Sequence, residues 1–499
     1  MKIILSVLFF ILITLPKLYS QVNLEKRLEY SEDDKSYKYE FFSYGEEGGL
    51  IKYLVRNRRK REIITHLVSV DETLNEERKH SYATSERLTS VEFYKVNNLL
   101  IPIDYSYKSG VYQLRIINRE SLSIKLFEGK FRRKSTVEHI SLLGDNLFVT
   151  TSHKRGTTLR IINIINNEYK EIKIDVGEYK GAVLSNMERV KVGDQEEYHI
   201  QFSFYEKKKT ARHLIFRYSS NGKLKSSPFI LSLAPDKAIV DMRFTYSEEA
   251  AEFIVSGTYT ADKKSGYANG LYTARIDEQG KISGVKMHNF LELDHFTEFL
   301  SKRKLEKLNR KKKRKEAKGN ELVYKGRANV HNIYVYQGKR YLISEFYYAT
   351  YRMESYSFNG QIHYRSVFDG YQYTHALVAA LDDAGELRWT HIFDMGVTQK
   401  PYELKEFIRL NINTDGDLEL SYANSSALKF ITFTEDGAVN RKRSFNYIKT
   451  ENKEETVKYT INSNVVYWYD NYYVVSGFQK VKTAPAETKK KKKKKRKIY

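Results

Sequence analysis

An all-β fold built of repeated sheet modules is predicted by three observations. A strand–turn–strand unit recurs, its turn reading SSNG-KL at Ser219 to Leu224, DEQG-KI at Asp277 to Ile282, DDAG-EL at Asp382 to Leu387 and TEDG-AV at Thr434 to Val439. Hairpin centres fall near positions 58, 119, 166, 222, 280, 385 and 437, which makes about seven units. Within a unit, Ala376 to Leu381 is apolar on both faces, whereas the strand after the turn sets Leu387, Trp389 and Phe393 on one face and Glu386, Arg388 and Thr390 on the other. Inner strands covered twice and outer strands covered once, in units of roughly 50 residues, describe the blades of a β-propeller. The count is about seven, with six or eight also compatible. A β-sandwich is the competing arrangement, and the regular spacing disfavours it.

Each turn ends on Gly because Gly takes the positive φ the turn needs, while Asp, Asn and Ser bond their own backbone there. Taken in order, residues 37–69 give three strand-like runs, and the polar stretch 71–89 reads as a loop or short helix. Further triplets occupy 98–129, 146–174, 196–231, 253–289, 341–393 and 417–445. Tyr, Ile, Val and Thr dominate them, as pleated half-buried surfaces favour. The last pair, residues 465–479, has no hairpin partner after it and is predicted to pair with the N-terminal segment, removing an exposed edge.

The Gly-to-Gly intervals are 58, 105 and 52 residues, so the middle one carries an insertion. Leu293, Phe296, Phe299 and Leu300 fall at helical spacing with Asp294 placed to cap them, and KLNRKKKRKEAK follows. This predicts a helix over about 291–320 whose first half docks on the body and whose second half projects as a basic arm.

Residues 1–20 have the charged start, apolar run and small terminal residue of a secretory signal cut before Gln21, with an uncleaved anchor as the alternative. No later stretch reaches the apolar length of a transmembrane helix. The expected address is the periplasm or cell surface of a Gram-negative bacterium. The absence of Cys excludes disulfides, thiolate metal sites and a catalytic Cys. The net charge of +23 is concentrated: residues 302–318 hold eleven Lys or Arg against two Glu, and residues 489–497 are nine consecutive cations. The body is nearly balanced. Two local electrostatic contacts follow, through Lys311, Lys312, Lys313, Arg314 and Lys315 and through a disordered tail over 483–499 that carries Lys489, Lys490, Lys491, Arg496 and Lys497. An anionic lipid, lipopolysaccharide or acidic polysaccharide suits them. A nucleic-acid partner is disfavoured because the Tyr residues follow strand patterns and are not interleaved with the Lys runs.

The segment ALDDAGELRWT, Ala380 to Thr390, resembles the repeat of pyrroloquinoline-quinone (PQQ)-type propellers and of the BamB-type envelope scaffold. The resemblance implies a propeller, a Trp389 docked in the core between blades, and a scaffold role. The other Gly turns depart from it, with Lys225, Val285 or Arg441 near the Trp position, and the adjacent cysteines of the quinone enzymes are missing. No cofactor is expected.

Candidate chemistry is sparse. Glu345, inside the apolar run YLISEFYYATY, and Asp241, in AIVDMRF, are acids on strands where burial is costly without a partner or access to a central channel. A catalytic role would need a second carboxylate or a His nearby. NINTDGDLE at 411–419 offers Asn413, Asp415, Asp417 and Glu419 as oxygen ligands, but an Asp-Gly hairpin turn accounts for it better. Asn424-Ser425-Ser426 is a glycosylation sequon. No nucleophile elbow, phosphate loop, dinucleotide fingerprint or HExxH is present. The expected function is a non-enzymatic binding or scaffold propeller for a protein or envelope component, the alternative a propeller enzyme using Glu345 and Asp241 on glycans.

Overall fold

The computed structural model describes residues 36–483, apart from 97, 180, 207–209, 235–236, 262–265, 320–321, 397–399, 414–415, 424–426, 447–454 and 471, together with residues 26, 28, 30–32 and 496–498. The fold is all-β. After β1 (Tyr30–Glu32), seven sheets follow in chain order, each an antiparallel meander. Blade 1 is β2 (Ser36–Ser43), β3 (Gly49–Asn57), β4 (Glu62–Val70) and β5 (Glu76–Ser85). Blade 2 is β6 (Thr89–Val96), β7 (Leu99–Tyr105), β8 (Val111–Asn118) and β9 (Ile124–Lys130). Blade 3 is β10 (Thr136–Leu143), β11 (Asn146–His153), β12 (Gly156–Asn163) and β13 (Tyr169–Lys173). Blade 4 is β14 (Val183–Val192), β15 (Gln195–Glu206), β16 (Thr210–Ser219) and β17 (Phe229–Leu231). Blade 5 is β18 (Ala238–Ser247), β19 (Glu252–Thr260), β20 (Gly270–Ile276) and β21 (Ile282–Asn289). Blade 6 is β22 (Arg327–Val330), β23 (Tyr334–Tyr336), β24 (Lys339–Phe358), β25 (Gln361–Leu381) and β26 (Leu387–Asp394). Blade 7 is β27 (Ile408–Ile412), β28 (Leu418–Ala423), β29 (Ala427–Phe433) and β30 (Val439–Asn446). An eighth sheet unites the chain ends in the order β1–β33–β32–β31, from β31 (Glu455–Tyr467), β32 (Tyr473–Thr483) and β33 (Arg496–Ile498).

The chain divides into two compact units, one of Met1–Tyr53, Val70–Glu77 and Phe407–Tyr499, the other of Leu54–Ser69 and Arg78–Glu406. In the larger unit the leading strands abut in series, β6 with β10, β10 with β14, β14 with β18 and β18 with β22. Its sheets stack face to face. Leu147 and Val149 of β11 join the core shared with blade 2, while Phe148 between them joins the core shared with blade 4. A sheet buried on both faces is what a serial blade stack requires, and a two-layer sandwich does not provide it. This explains why the middle strands read as continuous apolar runs.

The predicted turns have the predicted geometry. Gly222, Gly280, Gly385 and Gly437 have φ of +74°, +87°, +77° and +86°. In each, the Gly N–H donates to the carbonyl three residues back. The turn links the third and fourth strands of its blade. In the larger unit it also rests on the preceding blade. A Cβ at position 280 would lie 2.4 Å from Phe229 Cγ, and one at 222 would lie 2.1 Å from Ile161 Cδ1. At Gly385 the same contact is looser, and its carbonyl accepts from Thr273 Oγ1 at 2.8 Å. Between β27 and β28, Asn413 and Gly416 (φ +82°) close with the same hydrogen bonds, so the described ends of this stretch have the hairpin geometry expected, and Asp415 lies outside the described residues.

Several expectations are corrected. The polar stretch 71–89 holds β5, whose polar residues face solvent on an outer edge and so carry no apolar alternation. The inserted segment 291–300 is not α-helical: it is a series of turns in which Leu293 and Phe296 are buried, and Asn289, not Asp294, caps its first turn. The regular helix α1 begins later, at Lys302–Glu316. The insertion alone does not make the long interval either. β24 and β25 run 20 and 21 residues and continue past the blade as a hairpin arm, closed at Asn359-Gly360, both at positive φ. Trp389 is half-buried beside Tyr341 rather than core, and Thr390, expected to face outward, is buried because its Oγ1 donates to the carbonyl of Asp294 in the insertion.

In the smaller unit the chain ends do meet, though β32 reaches β1 through β33. Arg496 and Lys497 are therefore in a strand, not in an unstructured tail. Lys489, Lys490 and Lys491, the signal segment and the Asn424 sequon lie outside the described residues. Trp468 fixes the junction: its indole N–H donates to Gly48 O at 2.8 Å, its ring meets Phe41 edge-on at 5.4 Å, and its carbonyl accepts from Ser43 Oγ.

Candidate functional site

Four leading strands of the larger unit, β6, β10, β14 and β18, carry a bulge near their starts, between Ser90 and Phe93, Val137 and His139, Leu184 and Asn186, and Ile239 and Asp241. A bulge adds a residue to one strand and re-aims its side chains. In β18 it precedes Asp241, whose Oδ1 accepts from the Met242 N–H at 2.8 Å and from Arg243 Nη1 at 2.6 Å. Arg243 continues across to blade 6, where Nη2 donates to Val330 O at 2.5 Å. The next residue, His331, lies with Nε2 3.1 Å from Glu345 Oε1, and Glu345 is fully buried. The two acids singled out in the sequence therefore belong to one neighbourhood. They are joined through Arg243 and His331 and do not form an unshielded pair.

A third acid completes the group on the other side. Glu188 of β14 is buried, and its Oε1 accepts from the Phe244 N–H at 3.0 Å and from Gln201 Nε2 at 2.8 Å. Burial pushes its carboxyl up to about 8, against the opposing pull of Arg243, so it holds a proton at neutral pH. Burial, with the Arg243 charge adding to it, lowers His139 of β10. Blades 4, 5 and 6 thus share a polar seam along their leading strands: a protonated Glu188, an Asp241–Arg243 ion pair and the His331–Glu345 pair. A protonated and an ionised carboxyl on adjacent strands is an arrangement suited to acid–base work. The opposing fact is that Arg243 is already committed to Asp241 and to backbone carbonyls. Among the described residues no group of His, Asp and Glu could hold a metal ion.

The predicted electrostatic contacts are placed differently. Lys311, Lys312, Lys313, Arg314 and Lys315 occupy the C-terminal half of α1, all exposed, where the helix dipole favours cations. No residue of α1 is buried. Its root is anchored on blade 6: Phe299 stacks on His375 at 3.7 Å, and Phe296 packs against Phe346.

Glu188, Arg243 and His331 belong to no spaced motif and so are not marked in the sequence. The signal that could have found Arg243 was its position two residues after Asp241 on the same strand face, i and i+2. The hairpin arm was also missed, although Asn359-Gly360 between alternating runs is a strong hairpin signal.

No family model matches the chain, and no curated protein matches it in sequence. Solved structures do. A periplasmic gluconolactonase from Pseudomonas aeruginosa matches at 11% identity over 84% of this chain and 96% of that one, with a TM-score of 0.41. The β-propeller domain of the trilobed protease from Pyrococcus furiosus matches at 10% identity over 83% and 95%, with a TM-score of 0.38. A structure described as the Dos1 propeller matches at 8% identity over 93% and 95%, with a TM-score of 0.40. Likenesses this distant carry no activity to this chain. The propeller class rests on the blades themselves.

Proposed function

We propose that this protein is a non-enzymatic binding or scaffold propeller acting outside the cytoplasm, attached to an anionic envelope surface through α1 and the basic tail. The observation that carries this reading is α1. Ten of its fifteen residues are Lys or Arg, two are Glu, and none is buried. Packing does not hold such a helix, and like charges at i and i+4, such as Lys307 with Lys311, oppose it. A feature that repels itself and covers no core is explained by an anionic partner that relieves the repulsion. Phospholipid, lipopolysaccharide and acidic polysaccharide all offer that charge, and the blades supply a rigid platform for a protein or envelope component. Replacing Lys311, Lys312, Lys313, Arg314 and Lys315 with Gln, and separately replacing Lys489, Lys490 and Lys491 with Gln, which leaves β33 in place, is expected to weaken retention on anionic vesicles at low salt. Unchanged retention in both variants contradicts the reading.

A second reading, a propeller enzyme acting on glycans, is favoured by one observation, the protonated Glu188 beside the Asp241–Arg243 pair. It requires that Glu188→Gln and Asp241→Asn each abolish a glycan-cleaving activity that the unchanged protein displays.

A further inference from the structure

The hairpin arm of blade 6 is two-faced. Register pairs Tyr351 with Phe368, Met353 with Ser366, Ser355 with Tyr364 and Ser357 with Ile362, so these eight side chains share one face. That face contains no charge. Tyr351, Met353, Ile362 and Tyr364 are each about two-thirds exposed, at 64%, 66%, 69% and 69%. It continues toward the blade through Phe368, which meets Tyr351 and the exposed Tyr402, each at 5.9 Å. The opposite face holds the charges, with Tyr356 and Phe358 exposed beside them near the tip, and the charges satisfy one another: Glu354 takes Arg352 at 2.8 Å and Arg365 at 3.1 Å, with Arg365 over the Tyr356 ring. A hairpin that pairs every charge on one face and leaves aromatic, Met and Ile side chains in water on the other is built for an apolar contact.

We propose that this uncharged face seats in the interfacial layer of an anionic phospholipid bilayer. The inference rests on the reading of α1 as an anion-binding element and names the surface that both features share. The arm leaves the blade just beyond Phe346 and His375, the two residues on which the root of α1 is packed. One blade therefore presents a polycation and an uncharged strand face that bears Tyr351, Met353, Ile362, Tyr364 and Phe368. A bilayer with anionic headgroups complements both, since Tyr and apolar residues favour the headgroup boundary and cations favour the phosphates. A second copy of the chain complements only the apolar face. It would bring two α1 helices of like charge together on molecules that each carry a net +23.

The test uses the full chain and vesicles of equimolar phosphatidylglycerol and phosphatidylcholine. Tyr364→Trp supplies a reporter on the uncharged face, read against the unchanged protein. The expected result is a blue-shifted emission on vesicles, quenched when brominated phosphatidylcholine is included. Replacing Tyr351, Met353, Ile362 and Tyr364 together with Ser is expected to lower vesicle partition by about tenfold at salt that screens the basic segments, and to leave binding to soluble dextran sulfate unchanged. A reporter that neither shifts nor is quenched while vesicles still retain the protein overturns the inference and leaves the α1 reading standing. A quadruple variant that changes only the mass measured by light scattering overturns it in favour of a second copy. Loss of all low-salt vesicle retention in the unchanged protein would sink both.

Discussion

Gly280 rests on Phe229: a methyl group added at Gly280 would lie 2.4 Å from Phe229 Cγ and 2.6 Å from its Cβ. The turn of blade 5 can lie against the last strand of blade 4 only because residue 280 has no side chain. The backbone there has φ +87°, which L-residues rarely adopt. Gly280→Ala should therefore carry both a conformational and a steric cost, about 2–4 kcal/mol, whereas Gly385→Ala, whose nearest neighbours are at 3.5 Å or more, should cost about 1 kcal/mol. Thermal unfolding midpoints of the two variants check the order. Equal shifts would mean that the turn does not bear on the neighbouring blade.

A repeated Arg ties strand to strand. Arg115, Arg160 and Arg217 occupy the third strands of blades 2, 3 and 4, and each engages an acid of its own blade, Asp104, Glu171 and Glu197. Each also lies over an aromatic ring, Tyr82, Phe131 and Phe253 in turn, at 4.4–4.9 Å. Arg217→Ala leaves Glu197 buried without its guanidinium and should cost about 3–5 kcal/mol, while the double change Arg217→Met with Glu197→Gln should cost markedly less. Chemical denaturation of the single and double variants measures the difference.

Much of this was legible in the sequence, and what was missed has a physical cause. Second and third strands are buried on both faces, so Ala376 to Leu381 and its counterparts announce themselves as apolar runs. The Gly turns were legible because positive φ selects Gly. The leading strands β10 and β14 were not, because TVEHISLL and VLSNMERVKV mix charge with apolar residues and a bulge interrupts the period of two. The acids were visible at Asp241 and Glu345, but their neutralising partners come from strands brought together only by blade stacking. The Arg repeat was present as QLRIIN and TLRIIN in β8 and β12, yet a charge in an apolar run carries no meaning until its acid is placed beside it.

Acid should destabilise the protein before the carboxylates titrate. Burial lowers His213 to about 4 and His375 to about 3. An unfolded His titrates near pH 6.5, so below that value the unfolded chain binds protons that the folded chain refuses, and stability falls as pH drops toward 4. Glu197 acts lower. Burial alone would raise it, but its bonds from His199 and Arg217 hold it at about 2, so its contribution is present above the ordinary carboxylate range and lost as pH falls through 2. His375→Phe keeps a ring between Phe299 and Phe346 and removes one titration. Its unfolding midpoint should vary less between pH 6.5 and pH 4 than that of the unchanged protein. A parallel dependence would show that His375 does not stay neutral on folding.

Glu188 has the opposite sign. Its carboxyl is held at about 8 in the folded chain and near the ordinary carboxylate value when unfolded, so the folded state binds the extra proton and stability declines as pH rises toward 8. Glu188→Gln keeps an acceptor for the Phe244 N–H and removes the ionisation. The variant should gain stability relative to the unchanged protein above pH 8, as read by unfolding midpoints across pH.

Attachment to an anionic surface through α1 is the property on which the proposed function depends. Its most direct test is a set of binding isotherms on phosphatidylglycerol-containing vesicles across a range of salt, for the unchanged protein and for the variant with Lys311, Lys312, Lys313, Arg314 and Lys315 replaced by Gln. Each cation near such a surface contributes roughly 1 kcal/mol, so the variant is expected to lose well over tenfold in affinity at low salt and to show a shallower decline of affinity with salt. Isotherms that superimpose at every salt concentration would contradict it.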